Sequence, residues 1–276
     1  TSAGISKIYF GNLQTFSLTG ITPDLVYLLP LALLAGPLFG ILSIIYMVSL
    51  RKSAGIAKIT GWSPAKLLLT AAILTGVTGI ILPEILGLGI EHIERILNGG
   101  FKIEYLFLLL IGKLLITSLC IGFGMFGGIF SPALFIGATA GAVLTKLATV
   151  IGGVAVGTAI GPGLIICGMA AISSTVVGTP IAGVLIMLEL TMSYELALAA
   201  MLSVVTSALL AHLLFGHSFF DRQLLDRGID ISQGRGQIEM MEQSIRHLAS
   251  QDYVRLSKDT RISQAIKSMT HAQASE

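Results

Sequence analysis

The stretch Gly127-Gly128-Ile129-Phe130-Ser131-Pro132 lies inside a long segment, Leu114 to Thr145, that carries no charged residue. Two glycines and a proline predict that one helix ends and another begins at membrane depth. Non-helical backbone at that depth is tolerated only where protein buries it or where it lines a cavity. A helix that begins at Pro132 would direct its free N–H groups and its positive dipole end at that cavity. The stretch therefore predicts an anion site made of backbone, with a glycine–proline kink that binds nothing as the alternative.

The composition of the whole chain is that of a membrane protein. Hydrophobic residues make up 54% of the 276 residues, charged residues make up 12%, and the mean hydropathy is +0.87. Ordinary soluble domains have about a quarter of their residues charged. Three further runs without charge, Leu25–Leu50, Leu147–Leu188 and Leu196–Ala211, predict additional membrane helices. The net charge of +2 is too small to indicate nucleic acid as a partner.

Glycine and proline predict where the membrane segment is interrupted. Breaks are expected at Gly152-Gly153, at Gly161-Pro162-Gly163 and at Gly178-Thr179-Pro180, so the helices after Pro132 should be short, tilted and in part discontinuous. Glycines four residues apart predict close helix packing; the pairs are Gly36/Gly40, Gly124/Gly128, Gly137/Gly141 and Gly157/Gly161. The predicted fold is an all-α polytopic membrane bundle.

The distribution of charge predicts the topology and the domain boundaries. After the first crossing, a loop with Arg51, Lys52, Lys58 and Lys66 contains no acidic residue and is therefore expected to be cytoplasmic. The membrane domain is expected over residues 1–220, followed by a polar tail. Because the chain begins without Met and has no signal peptide, it is expected to be a piece of a longer protein.

Two charged residues next to the apolar runs are candidates for function. Lys113 is either an electropositive element beside an anion path or a lysine near a helix end whose stem reaches the interface. Glu189 is either a proton carrier or a structural carboxylate at a helix end. Cys120 and Cys167 are read as small buried residues. No enzyme motif, metal site or cofactor site is present in the sequence, so the protein is not expected to be an enzyme.

Several motifs together resemble the CLC family of chloride channels and chloride/proton antiporters. Gly128-Ile129-Phe130-Ser131-Pro132 matches the family's G-x-F-x-P motif, with Ser131 and Pro132 at the start of the motif helix. Lys113 stands where the family has a basic residue, and the segment Gly178 to Thr191 resembles the family's apolar helix that ends in Glu-x-Thr. The tail resembles a cytoplasmic linker (221–253) followed by the truncated start of a CBS domain (254–276).

The resemblance implies specific roles for these residues. Chloride, or another small anion, would be bound at Gly128 and by the backbone N–H groups of Ile129 and Phe130. Phe220 stands where the family has a coordinating tyrosine, and Lys113 would attract anions in the outer vestibule. The helices around Ile181–Glu189 and Leu196–Ala211 would contribute to a homodimer interface.

The resemblance covers only the second half of the family's inverted repeat. The gating and proton-transfer glutamates belong to the first half, so channel and proton-coupled antiporter both remain open. A structural or assembly half without transport of its own is the alternative function.

Overall fold

The computed structural model of the chain describes residues 24–216, 218–226, 262–264 and 266, and leaves the side chains of 154–156 and 158–159 undescribed. Within these residues every regular element is a helix and no strand occurs. Six helices of this part of the chain are long and apolar enough to cross a membrane. The predicted all-α membrane bundle is therefore confirmed.

The helices follow one another through short connections, and a 3-10 helix, Pro83–Ile85, separates the second from the third. In chain order they are α1 (Leu25–Thr60), α2 (Pro64–Ile81), α3 (Ile90–Leu97), α4 (Ile103–Gly122), α5 (Phe130–Gly152), α6 (Val154–Val177), α7 (Pro180–Thr191), α8 (Tyr194–Phe215) and α9 (Phe219–Leu225). Residues 262–264 and 266 are also helical. The rest of the predicted linker and CBS-like segment, apart from residues 221–226, lies outside the described residues.

Helix α1 continues well beyond its predicted membrane crossing. Its first turn is capped by Asp24, whose carboxylate accepts a hydrogen bond from the Val26 N–H at 3.1 Å. The helix has 36 residues and ends only at Thr60, with Gly61 as its C-cap. The prediction of a loop from Arg51 onward is wrong, because charge ends the apolar run without ending a helix. The basic side chains of this region lie on the last turns of α1 and on the first turn of α2.

The predicted break at Gly161-Pro162-Gly163 is also wrong, since α6 runs without interruption from Val154 to Val177. The two glycines serve close packing here. A methyl group at Gly161 would lie 3.3 Å from Thr145 Cγ2, and one at Gly163 would lie 2.6 Å from Leu28 Cδ2. Proline inside a membrane helix is tolerated where neighbouring groups satisfy the freed backbone. The Thr145 hydroxyl also donates to the Gly161 carbonyl at 3.3 Å, which joins α5 to α6 beside the proline.

Helix α6 is the centre of the bundle. It packs against α1, α5, α7 and α8, and 94% of its segment Ile160–Val177 is buried. A helix that is apolar on every side has to be surrounded by other elements or by lipid. By contrast, only 6% of α2 is buried, and α2 packs against α4 and the 3-10 helix. The apolar outer surface of α2 is therefore left for lipid or for other protein.

Glycine pairs bring the central helices close together, as predicted for three of the four pairs. A methyl group at Gly137 would overlap the Gly168 carbonyl oxygen, and one at Gly141 would lie 2.6 Å from Ile165 Cα. Methyl groups at Gly36 and Gly157 would overlap threonine hydroxyls of neighbouring helices. The pair Gly124/Gly128 is the exception, because a methyl group at either position would meet nothing within 4 Å.

Candidate anion site

The predicted helix break before Pro132 is present, between α4 and α5. Helix α4 ends at Gly122, and α5 begins at Phe130, two residues before the predicted start at Pro132. Pro132 is therefore the third residue of α5, in the first turn, where its missing N–H would have had no partner within the helix. The observed start places Phe130 and Ser131 in the first turn and Ile129 at the N-cap.

The backbone at the start of α5 presents free hydrogen-bond donors. The Ile129 carbonyl accepts from the Ala133 N–H at 3.1 Å, which begins the hydrogen bonding of the helix. In the described part of the chain, the N–H groups of Ile129 and Phe130 have no acceptor. Ile129 is 6% exposed, whereas Gly128 is exposed and has open space where a side chain would be. A small anion could approach these donors over Gly128 without meeting a side chain there.

Ser131 connects the start of α5 to the loop between the 3-10 helix and α3. Its hydroxyl donates to the Leu88 carbonyl at 3.1 Å. This hydroxyl therefore satisfies a carbonyl of the loop and fixes the loop beside the motif. The prediction of Ser131 as part of the helix start gave no indication of this partner, which is 43 residues away in sequence.

Lys113 is buried in the protein beside the same loop. It lies in the middle of α4 and is 3% exposed, so the interpretation as a lysine near a helix end that reaches the interface is wrong. Its ammonium group donates to the Ile85 carbonyl at 2.7 Å and to the Gly87 carbonyl at 2.9 Å. The Nζ atom also lies 5.1 Å from the ring centroid of Phe135. These contacts compensate part of the cost of burying the charge.

The segment of residues 85–89, which consists of the last residue of the 3-10 helix and the loop after it, is called here the clamp loop and is held from three sides. Lys113 binds its beginning, Ser131 binds Leu88, and the Phe135 ring packs against Gly89. Lys113 and Ser131, which the sequence singled out separately, therefore meet at one structural feature next to the motif. Sequence reasoning missed the clamp loop, although Pro83, Gly87 and Gly89 indicated an irregular segment there.

Phe220 lies on the short helix α9 and not within the motif. Its side chain is 44% exposed and packs edge-on against Phe219, with 5.5 Å between the ring centroids. The ring has no hydroxyl to donate, and α9 makes no extensive contact with α5. Glu189, the other candidate, is exposed near the end of α7. Neither residue is joined by a hydrogen bond to the start of α5 in the described residues.

Comparison with known sequences identifies relatives of the chain. A sequence model of the family described as "Voltage gated chloride channel" matches residues 1–212. The H(+)/Cl(-) exchange transporter ClcA of Vibrio campbellii is 33% identical over 203 residues, which are 71% of this chain and 42% of that protein. ClcA of Vibrio cholerae serotype O1 is 35% identical over 205 residues, which are 72% of this chain and 43% of that protein.

A solved structure supports the fold. The structure described as a slow cyanobacterial Cl-/H+ antiporter matches with a TM-score of 0.68 and 23% identity, covering 81% of this chain and 52% of that chain. The chain spans less than half the length of the two ClcA relatives that it matches. The family match over most of the chain, together with the helix break and its free backbone donors, shows that the chain belongs to the CLC, or voltage-gated chloride channel, family.

Proposed function

We propose that the chain supplies one half of a chloride path across the membrane and that the N–H groups of Ile129 and Phe130 bind the anion. The observation that carries the proposal is the pair of free donors at the N-terminus of α5, beside open space at Gly128. The helix has 23 residues, so its dipole adds a partial positive charge of about +0.5 at the same end. The family membership of the chain supports chloride as the anion.

The physical argument concerns how tightly a conducted ion is held. An anion that leaves water loses its hydration, and the protein has to replace it. A full positive charge at the site would bind the anion tightly and slow its release, whereas conduction needs favourable but weak binding. The charge of Lys113 is compatible with weak anion binding, because its ammonium group already donates to two carbonyls of the clamp loop. Backbone donors and the helix dipole are then the positive elements at the motif.

A substitution that removes one donor tests the site. Ile129→Pro deletes the N–H at the N-cap, whereas Ile129→Ala removes more of the side chain but keeps the N–H. Crystals of the full-length gene product grown in bromide should show anomalous density at the start of α5 in the wild type and in Ile129→Ala. Bromide density that is as strong in Ile129→Pro, or no density in the wild type, would contradict the proposal.

Coupling to protons is the more specific form of the proposal. The two ClcA relatives are named H(+)/Cl(-) exchange transporters, and the matched structure is described as an antiporter. These names favour exchange over passive conduction. Liposomes with the full-length gene product should take up protons against a gradient when chloride is driven in the opposite direction. Chloride flux without any proton movement would indicate a channel.

An assembly half without transport of its own is the second candidate. The observation in its favour is the coverage, since the chain corresponds to less than half of the two ClcA relatives. The chain alone, reconstituted in liposomes, is expected to give no chloride efflux above protein-free liposomes. Efflux from the chain alone would show that the described half contains a complete path.

A homodimer is proposed from the exposed apolar surface of α7 and α8. Ile181 and Leu185 on α7, and Leu198, Met201 and Val205 on α8, are exposed. A charge in this surface should prevent association if it is the interface. Leu198→Arg should convert the dimer of the full-length gene product to a monomer in detergent, measured by light scattering. The matched control is Ile73→Arg on the exposed surface of α2, which should leave the dimer intact.

A cytoplasmic position is proposed for the basic end of α1, because Arg51, Lys52 and Lys58 make that end strongly positive, which is typical of the cytoplasmic side. A cytoplasmic position is proposed separately for the carboxy-terminal tail, which resembles the cytoplasmic linker and the start of the CBS domain of the family. In intact cells, a cysteine placed in the tail should react with a membrane-impermeant maleimide only after the membrane is opened. Labelling of intact cells would place the tail outside.

A further inference from the structure

A cavity of about 370 Å³ lies between α3, the turn that follows it, the beginning of α4, α5 and α6. Its walls are mostly apolar, with Leu97, Phe101, Leu106 and Ile165 among the lining residues. The volume is within the range of about 300–1,000 Å³ that is usual for small-molecule pockets. The cavity shares no lining residue with the start of α5, so the proposed chloride site does not account for it.

One charged side chain, Lys146 of α5, lines this cavity. Lys146 is half-buried, and among the described residues it has neither a carboxylate partner nor a hydrogen-bond acceptor. Lys113, in contrast, is buried with two carbonyl acceptors. A partly desolvated ammonium group without a partner is stabilised by any anion that enters the same space.

The other polar groups of the wall are already bonded to the protein. Thr145 donates to the Gly141 carbonyl at 2.9 Å, Thr149 donates to the Thr145 carbonyl at 2.8 Å, and Asn98 donates to the Glu94 carbonyl at 3.0 Å. Lys146 is thus the one cation of the lining, and the remaining wall is apolar or satisfied. Such a space fits a molecule with one anionic group and an apolar portion.

The position of Lys146 along α5 indicates where that molecule comes from. Val150 and Ile151, between Lys146 and the end of α5, are 82% and 88% exposed. The apolar part of the lining lies on the other side of Lys146, at Ala142 and Ile165, toward the start of α5. Lys146 lies six residues before the end of α5 at Gly152, which is about 9 Å along the axis. That distance is compatible with the level of lipid headgroups.

We propose that this cavity binds an acidic phospholipid from the surrounding bilayer, with the phosphate of the headgroup at the ammonium group of Lys146 and the upper acyl chain against the apolar wall. The charge complementarity at Lys146 and the apolar lining at Ala142 and Ile165, toward the start of α5, carry the proposal.

Thermal unfolding of the purified full-length gene product in detergent tests the proposal. Phosphatidylglycerol and phosphatidylcholine with identical acyl chains are added separately, and the shift in Tm is compared. Lys146→Met keeps the apolar stem and removes the charge, whereas Lys146→Arg keeps the charge. Lys102→Met is the matched control, because it makes the same charge change at an exposed position outside the cavity lining.

Phosphatidylglycerol should raise the Tm of the wild type, Lys146→Arg and Lys102→Met more than phosphatidylcholine does. Lys146→Met should lose this difference, with apparent affinity for phosphatidylglycerol about fivefold lower. Equal stabilisation of Lys146→Met and wild type would overturn the proposal. So would equal loss in Lys102→Met, which would indicate non-specific attraction. Stabilisation by glycerol 3-phosphate at the same concentration would also overturn it, because the site would then take a soluble anion.

Discussion

The ammonium group of Lys113 lies 5.1 Å from the ring centroid of Phe135, and both side chains hold the clamp loop next to the start of α5. Lys113 comes from α4 and Phe135 comes from α5, so the pair joins the two helices that flank the break. The segment between these helices has no regular structure, so its geometry depends on the contacts that hold α4 and α5 in place. We therefore expect the clamp loop to stabilise the arrangement of the anion site.

Removing the charge of Lys113 should destabilise the protein. Lys113→Met keeps most of the side-chain volume but leaves the Ile85 and Gly87 carbonyls without their donor. Loss of hydrogen bonds from a charged donor is expected to cost about 2–3 kcal/mol. The measurement is thermal unfolding of the full-length gene product in detergent. Lys102→Met, at an exposed position, should leave the Tm unchanged.

The same variant separates the structural role of Lys113 from the vestibule role that the resemblance implies. A vestibule charge would act on chloride transport through long-range attraction, which added salt screens. We expect the transport defect of Lys113→Met to persist at high ionic strength, because the clamp loop is disturbed in either case. A defect that disappears at high salt while the Tm stays at the wild-type value would favour the vestibule role.

Gly89 should tolerate substitution less well than its neighbour Gly87. Both have positive φ, 74° and 59°, so alanine is strained at either position. A methyl group at Gly89 would also lie 2.6 Å from Phe135 Cδ2, whereas one at Gly87 would meet nothing within 4 Å. Gly87→Ala should lower the free energy of unfolding by about 1 kcal/mol, and Gly89→Ala by about 2–4 kcal/mol. Urea titration followed by tryptophan fluorescence compares the two.

A second substitution identifies the source of the larger effect. Phe135→Leu in the Gly89→Ala background should recover part of the loss, because the smaller side chain leaves space for the methyl group. Equal costs for Gly87→Ala and Gly89→Ala would show that Phe135 does not restrict the loop.

The crossing of α5 and α6 should depend on Gly137. A methyl group there would overlap the Gly168 carbonyl oxygen, and backbone atoms cannot move aside without separating the helices. Gly137→Ala should therefore cost about 2–3 kcal/mol, measured as a lower Tm. Gly76→Ala on α2 is the control, since nothing lies within 4 Å of a methyl group there. That substitution should be neutral or stabilise by about 0.5 kcal/mol.

The sequence predicted the elements better than it predicted the contacts. Local chemistry was sufficient for the break before Pro132 and for the end of α6 before Gly178. It was insufficient at Gly161-Pro162-Gly163, where α6 continues through the proline, and for α1, where the charged residues after Leu50 continue the helix. The acceptors of Lys113 are the Ile85 and Gly87 carbonyls, 28 and 26 residues away in sequence, and no local pattern specifies such partners.

Adding a hydroxyl at position 220 tests whether this position takes part in anion binding. Phe220→Tyr adds one O–H donor. Because the ring is 44% exposed, the added hydroxyl should change the free energy of unfolding little. Under the proposed function, the variant should bind chloride more tightly, by about 1 kcal/mol for one neutral hydrogen bond, or about fivefold. Isothermal titration of the full-length gene product with chloride measures the affinity.

The neighbouring ring is the matched control for this prediction. Phe219→Tyr adds the same hydroxyl one residue earlier on α9, where the resemblance implies no contact with the anion, so its chloride affinity should equal that of the wild type. If both variants bind chloride alike, position 220 does not coordinate the anion, and the free N–H groups of Ile129 and Phe130 alone would carry the binding attributed to this half. If Phe220→Tyr alone binds more tightly, the start of α9 and the start of α5 meet at one anion in the full-length protein.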